Sequence, residues 1–211
     1  MLILSLTYRK RKPASVVEVV FNDGQVLDLD PELAVKFQLA AGEDISQQAM
    51  DELRNAQESL TARRRLVRYM SLRRKSGREA SDYLLRAGFS PDAVESAMAG
   101  ARELGLIDDA RFAAAYTRTQ QRATHKGPRA IRHELMMRGV NPGIAAQTVA
   151  PSATPETQKE HARAAAVKKA ASLQKEPPNK ARAKLYAHLL RKGYDPDVAS
   201  QVTHELFNEK E

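Results

Sequence analysis

Hydrophobic positions change their period along this chain. Up to about residue 30 they run in β fashion: Ile3, then Val16, Val17, Val19, Val20 and Phe21, then Val26 and Leu27, with Asn22-Asp23-Gly24 between the last two runs. That patterning predicts strands joined by a hairpin turn. Pro31 to Phe37 and Ser46 to about Glu58 read as short helices, the second opened by a Ser46 N-cap. From Leu60 onward every segment has helical spacing. Leu66, Val67 and Met70 form one apolar stripe, Phe112, Tyr116 and Thr119 a second, and Leu185, Leu189 and Leu190 a third.

Along the helical region a single pattern is written three times: Leu84-Leu85-Arg86-Ala87-Gly88-Phe89-Ser90-Pro91, Leu135-Met136-Met137-Arg138-Gly139-Val140-Asn141-Pro142 and Leu189-Leu190-Arg191-Lys192-Gly193-Tyr194-Asp195-Pro196. The glycines stand 51 and then 54 residues apart, the self-similarity that stacked helical modules leave in a sequence. Each copy predicts a helix ending in a left-handed glycine, an apolar residue closing a Schellman cap, and an N-cap (Ser90, Asn141 or Asp195) followed by proline at the first helical position. Aligned on their glycines, the copies stack Ala80, Ile131 and Leu185 in one core column and Leu84, Leu135 and Leu189 in another. In the second copy Asp108 is a natural N-cap, with Ile107 and Phe112 at the staple positions, which accounts for Asp108 and Asp109 without chemistry. Its next helix starts at Gly127-Pro128. The third copy has a long first helix from about Pro155 and a break at Pro177-Pro178. The fold expected is mostly α: a tandem, elongated and curved array of three three-helix repeats (59–106, 107–151 and 152–211) behind a small β-containing extension (1–58).

Charge changes the picture more than composition does. The chain has 211 residues, a net charge of +8 and a pI near 9.8, which favours polyanionic partners. From Arg63 to Arg78 stand Arg63, Arg64, Arg65, Arg68, Arg73, Arg74, Lys75 and Arg78 without an intervening acid. Arg111, Arg118 and Arg122 line one face of a later helix, and Lys126, Arg129 and Arg132 follow. Arg9-Lys10-Arg11-Lys12 reads as an exposed loop. A base-reading helix-turn-helix is disfavoured, because the helices after each turn (Pro91-Asp92-Ala93-Val94-Glu95, Pro142-Gly143-Ile144 and Pro196-Asp197-Val198) are neutral to acidic. Contact at the level of phosphates fits better, with Arg64, Arg65, Arg68, Arg73, Arg74, Lys75, Arg111, Arg118, Arg122, Lys126, Arg129 and Arg132 as candidates.

Catalytic signals are missing from the sequence. There is no cysteine, hence no disulfide or thiolate site, which suits a reducing cytoplasm. His125, His133, His161, His188 and His204 are scattered, with no metal-ligand spacing, and neither a phosphate loop nor a nucleophile elbow occurs. The opening apolar residues are too few for a signal core or a membrane span. No enzyme activity, cofactor or metal is expected, and a monomer is the default.

Two blocks, Leu104-Gly105-Leu106-Ile107-Asp108-Asp109-Ala110-Arg111-Phe112-Ala113-Ala114-Ala115-Tyr116 and Lys126-Gly127-Pro128-Arg129-Ala130-Ile131-Arg132-His133-Glu134-Leu135, resemble the RecX family in residues and in spacing. The resemblance extends over about residues 58 to 208, with Gly88, Pro91, Gly105, Asp108, Asp109, Phe112, Tyr116, Gly127, Ile131, Leu135, Gly139 and Gly193 as its structural positions. It departs at Met137, where the other copies have Arg86 and Arg191, and over Thr154 to Lys175. It implies a cytoplasmic regulator that binds RecA and the RecA–DNA filament. Such a protein inhibits recombinase, ATPase and coprotease activity, and so bears on DNA repair, recombination and the SOS response. The rival reading is a free-standing basic repeat protein that coats single- or double-stranded DNA, or RNA, without RecA.

Overall fold

A computed structural model of the protein describes residues 1–10 and 15–208, so Arg11 and Lys12 of the first basic run lie outside the described residues. The chain divides into two compact units, residues 1–73 with 80–106, and residues 74–79 with 107–211.

In the first unit β1 (Ile3–Arg9), β2 (Val16–Phe21) and β3 (Val26–Leu29) form an antiparallel sheet in that order. Arg9 ends β1 instead of standing in a loop, and its guanidinium pairs with Glu18 at 2.5 Å. Alternation along β2 turns Val17, Val19 and Phe21 to one face, where they are buried with Leu29, Leu33, Met50 and Leu53. Asp30 caps α1 (Pro31–Lys36), accepting from the Glu32 N–H at 3.1 Å. The helix expected to stop near Glu58 does not stop: α2 (Gln47–Leu72) is one helix of 26 residues. Glu58-Ser59-Leu60-Thr61-Ala62 contains neither glycine nor proline, so nothing ends the hydrogen-bond ladder there. The front of α2 thus buries Met50 and Leu53 under the sheet, and its rear buries Ala62 and Leu66 where it packs on α4 (Pro91–Glu103). Val67 is exposed, a correction to the expected stripe, because Ala62 and Leu66, four apart, set the buried line. The Ser90 cap of α4 is held by Glu58, which accepts from its N–H at 2.7 Å and its hydroxyl at 2.8 Å.

The second unit carries α5 (Asp109–Thr124), α6 (Pro128–Met137), α7 (Pro142–Val149), α8 (Pro155–Ser172), α9 (Pro178–Lys192) and α10 (Pro196–Asn208). Asp108 caps α5, accepting from the Arg111 N–H at 2.8 Å, and Asn141 caps α7. On α5 the buried face is Phe112, Ala113 and Thr117, with Tyr116 half-buried; Thr119 faces solvent, since the face is centred near Tyr116. Leu190 is likewise more exposed than its periodicity predicts. Both core columns, Ala80, Ile131 and Leu185 and then Leu84, Leu135 and Leu189, are fully buried.

The three glycine turns are full Schellman motifs. Gly88, Gly139 and Gly193 have φ of +89°, +81° and +87°. The residue after each donates to the leucine five before it: Phe89 to Leu84 O at 3.4 Å, Val140 to Leu135 O at 3.0 Å and Tyr194 to Leu189 O at 3.2 Å. The turns in the second and third repeats are also docking sites. The start of α3 (Gly77–Arg86) lies on the Gly139 turn, where the Ser76 hydroxyl donates to Arg138 O at 2.5 Å and a Cβ on Gly139 would run into the Arg78 side chain. The start of α6 lies on the Gly193 turn: the Gly127 N–H donates to Lys192 O at 2.7 Å and the Arg129 N–H to Gly193 O at 3.1 Å. Ser76 and Gly127 both stand twelve residues before the glycine of their own repeat. Ser76 and Glu79 close a capping box, Ser76 N–H to Glu79 at 3.1 Å and Glu79 N–H to Ser76 at 3.2 Å.

Two substitutions separate docking from turn geometry. A Cβ at Gly88 meets nothing within 4 Å, so Gly88→Ala bears only left-handed strain, about 1–2 kcal/mol. At Gly127 the backbone is ordinary, but a Cβ would lie 2.5 Å from Gly193 O and 2.6 Å from its carbon, so Gly127→Ala costs about 3 kcal/mol by overpacking. Urea unfolding of the two variants checks this, and an equal or reversed order would refute the docking account.

Candidate functional site

The groups suited to acid–base work are taken up in pairs. Tyr116 on α5 donates to Glu134 Oε2 at 2.7 Å, and Lys126 Nζ meets Glu134 Oε1 at 2.5 Å. Arg138 lies 4.9 Å from the Tyr116 ring centroid and pairs with Glu79. Burial opposes the Glu134 carboxylate, but hydrogen bonds from Lys126 and Tyr116, with the charges of Lys126 and Arg138, outweigh it and hold its pKa below the usual value. Burial, and then the bond to Glu134, pushes the Tyr116 hydroxyl up. Both shifts move away from neutrality, so these groups hold helices together instead of exchanging protons at pH 7. Asp109 does more than charge the first turn of its helix: its carboxylate accepts from the Gly77 N–H at 2.8 Å, fastening the start of α3. Among the described residues no cluster of His, Asp or Glu could hold a metal ion, and no helix is long and apolar enough to cross a membrane.

The candidate cations fall into two kinds. Arg64 pairs with the buried Asp30 and ties α2 to the start of α1, Lys126 pairs with Glu134, and Arg129 meets Asp195 at 2.9 Å. Asp195 is therefore no simple cap, since its other oxygen accepts from the buried Gln158 at 2.6 Å. Lys75 is half-buried. The others stand outward. Arg68 and Arg73 in the first unit, and Arg74, Arg111, Arg118, Arg122 and Arg132 in the second, are exposed and make no ion pair among the described residues. Arg118 and Arg122 are one turn apart on α5, with Arg111 two turns before Arg118. Arg132 borders a cleft of about 240 Å³ with Arg129, Gln158 and Asp195. Arg65 is held against rings, its guanidinium 5.6 Å from the Tyr83 centroid and 5.9 Å from that of Phe89.

The third repeat holds a further basic group that the sequence does not announce. His188 on α9 is half-buried; burial, followed by the charges of Lys192, Lys169 and Arg191, lowers its pKa. Lys192 also donates to Thr124 O at 2.5 Å, at the end of α5. Lys192 and Arg191 are near His188 along the chain, and packing of α8 on α9 adds Lys169.

Comparison with known proteins agrees with this architecture. Family profiles described as RecX, second three-helix domain and RecX, third three-helix domain match residues 108–149 and 156–203. The regulatory protein RecX of Levilactobacillus brevis is 30% identical over 190 residues, covering 89% of this chain and 70% of that protein. Its counterpart from Listeria welshimeri is 29% identical over 181 residues, or 86% and 67% of the two chains. A crystal structure of a regulatory protein RecX superposes with a TM-score of 0.79 at 22% identity, covering 99% of this chain and 98% of that one. RecX from Lactobacillus salivarius gives 0.65 at 24% identity over 72% and 97%. At these identities the two structures speak for the fold.

The setting of His188 predicts a pH effect on stability. Above about pH 6.5 both folded and unfolded chains carry the neutral ring. As pH falls the unfolded chain takes up the proton first, so stability drops until the lowered folded pKa is passed. His188→Gln removes this component. Urea midpoints between about pH 7 and pH 5 should fall more steeply for the wild type than for the variant; equal slopes would refute the assignment.

Proposed function

The chain belongs to the RecX family, and from that premise we propose that it binds the RecA recombinase and the RecA–DNA filament and inhibits their recombinase, ATPase and coprotease activities. In this reading it modulates DNA repair, recombination and the SOS response in the cytoplasm. It acts as a monomer, by occupying a surface and without a catalytic group. The functional modules are the extension 1–58 and the repeats 59–106, 107–151 and 152–211. The observation that carries the reading is the kinship, over most of the chain, with proteins named regulatory protein RecX.

The charge distribution supports a physical route. A nucleoprotein filament presents phosphates and acidic side chains at regular spacing, and each arginine that meets a phosphate releases condensed counterions. Arg111, Arg118, Arg122 and Arg132 make no ion pair among the described residues, so docking them breaks no ion pair seen there. Arg68, Arg73 and Arg74 add to this set. Arg64, Lys126 and Arg129 contribute less, because their charge is matched at home.

The deciding measurement is ATP hydrolysis by RecA on single-stranded DNA with the protein added well below one copy per RecA. The wild type should suppress hydrolysis, and Arg118→Ala/Arg122→Ala/Arg132→Ala should lose most of that effect while keeping its circular dichroism. Unchanged hydrolysis beside intact binding to bare DNA would replace this reading with the coating-protein one. Binding to RecA filaments at a salt concentration that abolishes binding to bare DNA would exclude the coating-protein reading, since phosphate contact weakens with a logarithmic slope of roughly 0.9 per phosphate.

A further inference from the structure

Each repeat closes its second helix with a left-handed glycine turn, yet the three turns are not equally covered. Gly193 and the Tyr194 after it are buried, Gly139 is half-buried with Val140 buried, and Gly88 is exposed with Phe89 half-buried. Where a turn is covered, a helix start covers it. On the Gly139 turn the Ser76 hydroxyl donates to Arg138 O, and on the Gly193 turn the Gly127 and Arg129 N–H groups donate to Lys192 O and Gly193 O. Both starts bring a small residue to the contact, and Ser76 and Gly127 are buried there. The equivalent carbonyls of the first repeat, Ala87 O and Gly88 O, accept no hydrogen bond among the described residues. A Cβ on Gly88 meets nothing within 4 Å, whereas one on Gly139 would run into the Arg78 side chain and one on Gly193 into the Ala130 backbone.

We propose that the Gly88 turn is a docking site for a helix start of a protein partner, held as the two occupied turns hold theirs. On the RecA reading, which this site presupposes, the partner is RecA in its filament, touched on its protein and not on its DNA. Bare carbonyls at the end of α3 call for donors, and a helix start is the element that carries several unpaired N–H groups. Its positive dipole end also faces the negative end of α3. The docked start has serine or glycine at its cap, because a larger residue would be driven into the turn, just as a Cβ on Gly127 would lie 2.5 Å from Gly193 O. Its first turn covers Phe89, as the counterparts Val140 and Tyr194 are already covered. The repeats of a second copy have no such start to spare. Ser76 and Gly127 are engaged, and their counterpart in the third repeat, Ala181, lies inside α9 with its N–H bonded to Pro177 O at 2.9 Å.

The test compares three full-length chains, the wild type, Gly88→Ala and Gly24→Ala, as suppressors of RecA ATP hydrolysis on single-stranded DNA. Gly24 has φ of +83° against +89° at Gly88, and a Cβ meets nothing within 4 Å at either. Alanine therefore adds the same left-handed strain at both positions and obstructs a docked helix start only at Gly88. Circular dichroism shows that each variant is folded. Gly88→Ala should need roughly tenfold more protein for half suppression, because its methyl group overpacks the contact. Gly24→Ala should match the wild type. Gly88→Ala matching the wild type, or both variants weakening alike, would overturn the docking site and leave the RecA reading standing. A wild type that fails to suppress hydrolysis would end the RecA reading and this site with it. Sedimentation of the protein alone should give a monomer; self-association that Gly88→Ala abolishes would assign the turn to a second copy and overturn the proposal.

Discussion

A backbone carbonyl at a left-handed glycine turn is what the second unit depends on. Every helix leaves N–H groups unpaired at its start and carbonyls unpaired at its end. Here the two deficits cancel between neighbouring repeats: the start of α3 gives the Ser76 hydroxyl to Arg138 O, and the start of α6 gives the Gly127 and Arg129 N–H groups to Lys192 O and Gly193 O. The positive end of one helix dipole meets the negative end of another. Contact this close needs a missing side chain, which is why Gly127, Gly139 and Gly193 admit no Cβ while Gly88 does. In the third repeat the position matching Ser76 and Gly127 is Ala181, inside α9, and its N–H is already bonded to Pro177 O at 2.9 Å. The extra turn of α9 thus uses up the donor that would dock one more repeat.

Around that backbone contact the side chains sort the charge. Asp109, Glu79, Glu134 and Asp195 each accept from a residue of another helix or from a helix start, and each draws in a cation or an N–H. Pairs of this kind, in half-buried places, mainly decide which helix end meets which, since exposed pairs add little stability. Once the matched cations are set aside, Arg68 on α2 and Arg111, Arg118 and Arg122 on α5 remain exposed and without an ion pair among the described residues.

The shifted titratable groups among the described residues trace to packing contacts. Glu134 is held by Lys126 and Tyr116, Glu205 by Lys159 and Arg163, and the Tyr194 hydroxyl is raised well above its ordinary value by burial beside His125 O, while His188 is lowered by burial and neighbouring cations. Arg68 on α2 and Arg118 and Arg122 on α5 take no part in these contacts.

The sequence by itself determined the local features, because capping, turns and helical faces depend on residues within a few positions of one another. The three Schellman turns, the Ser90, Asp108 and Asn141 caps, the buried columns from Ala80 to Leu189 and the hairpin at Asn22-Asp23-Gly24 are of this kind. The Ser76-Gly77-Arg78-Glu79 capping box is local too, although the surrounding run of arginines hides it. Tertiary structure decided everything that joins distant positions. What each half of α2 is buried against was decided by two different surfaces, the sheet for its front and α4 for its rear. Which arginines are matched depended on Asp30, Glu134 and Asp195 arriving from other elements, 34, 8 and 66 residues away. Spacing along a chain fixes which residues share a helix face, but only packing brings a carboxylate or an aromatic ring to an arginine, and that meeting separates a structural charge from one left for a partner.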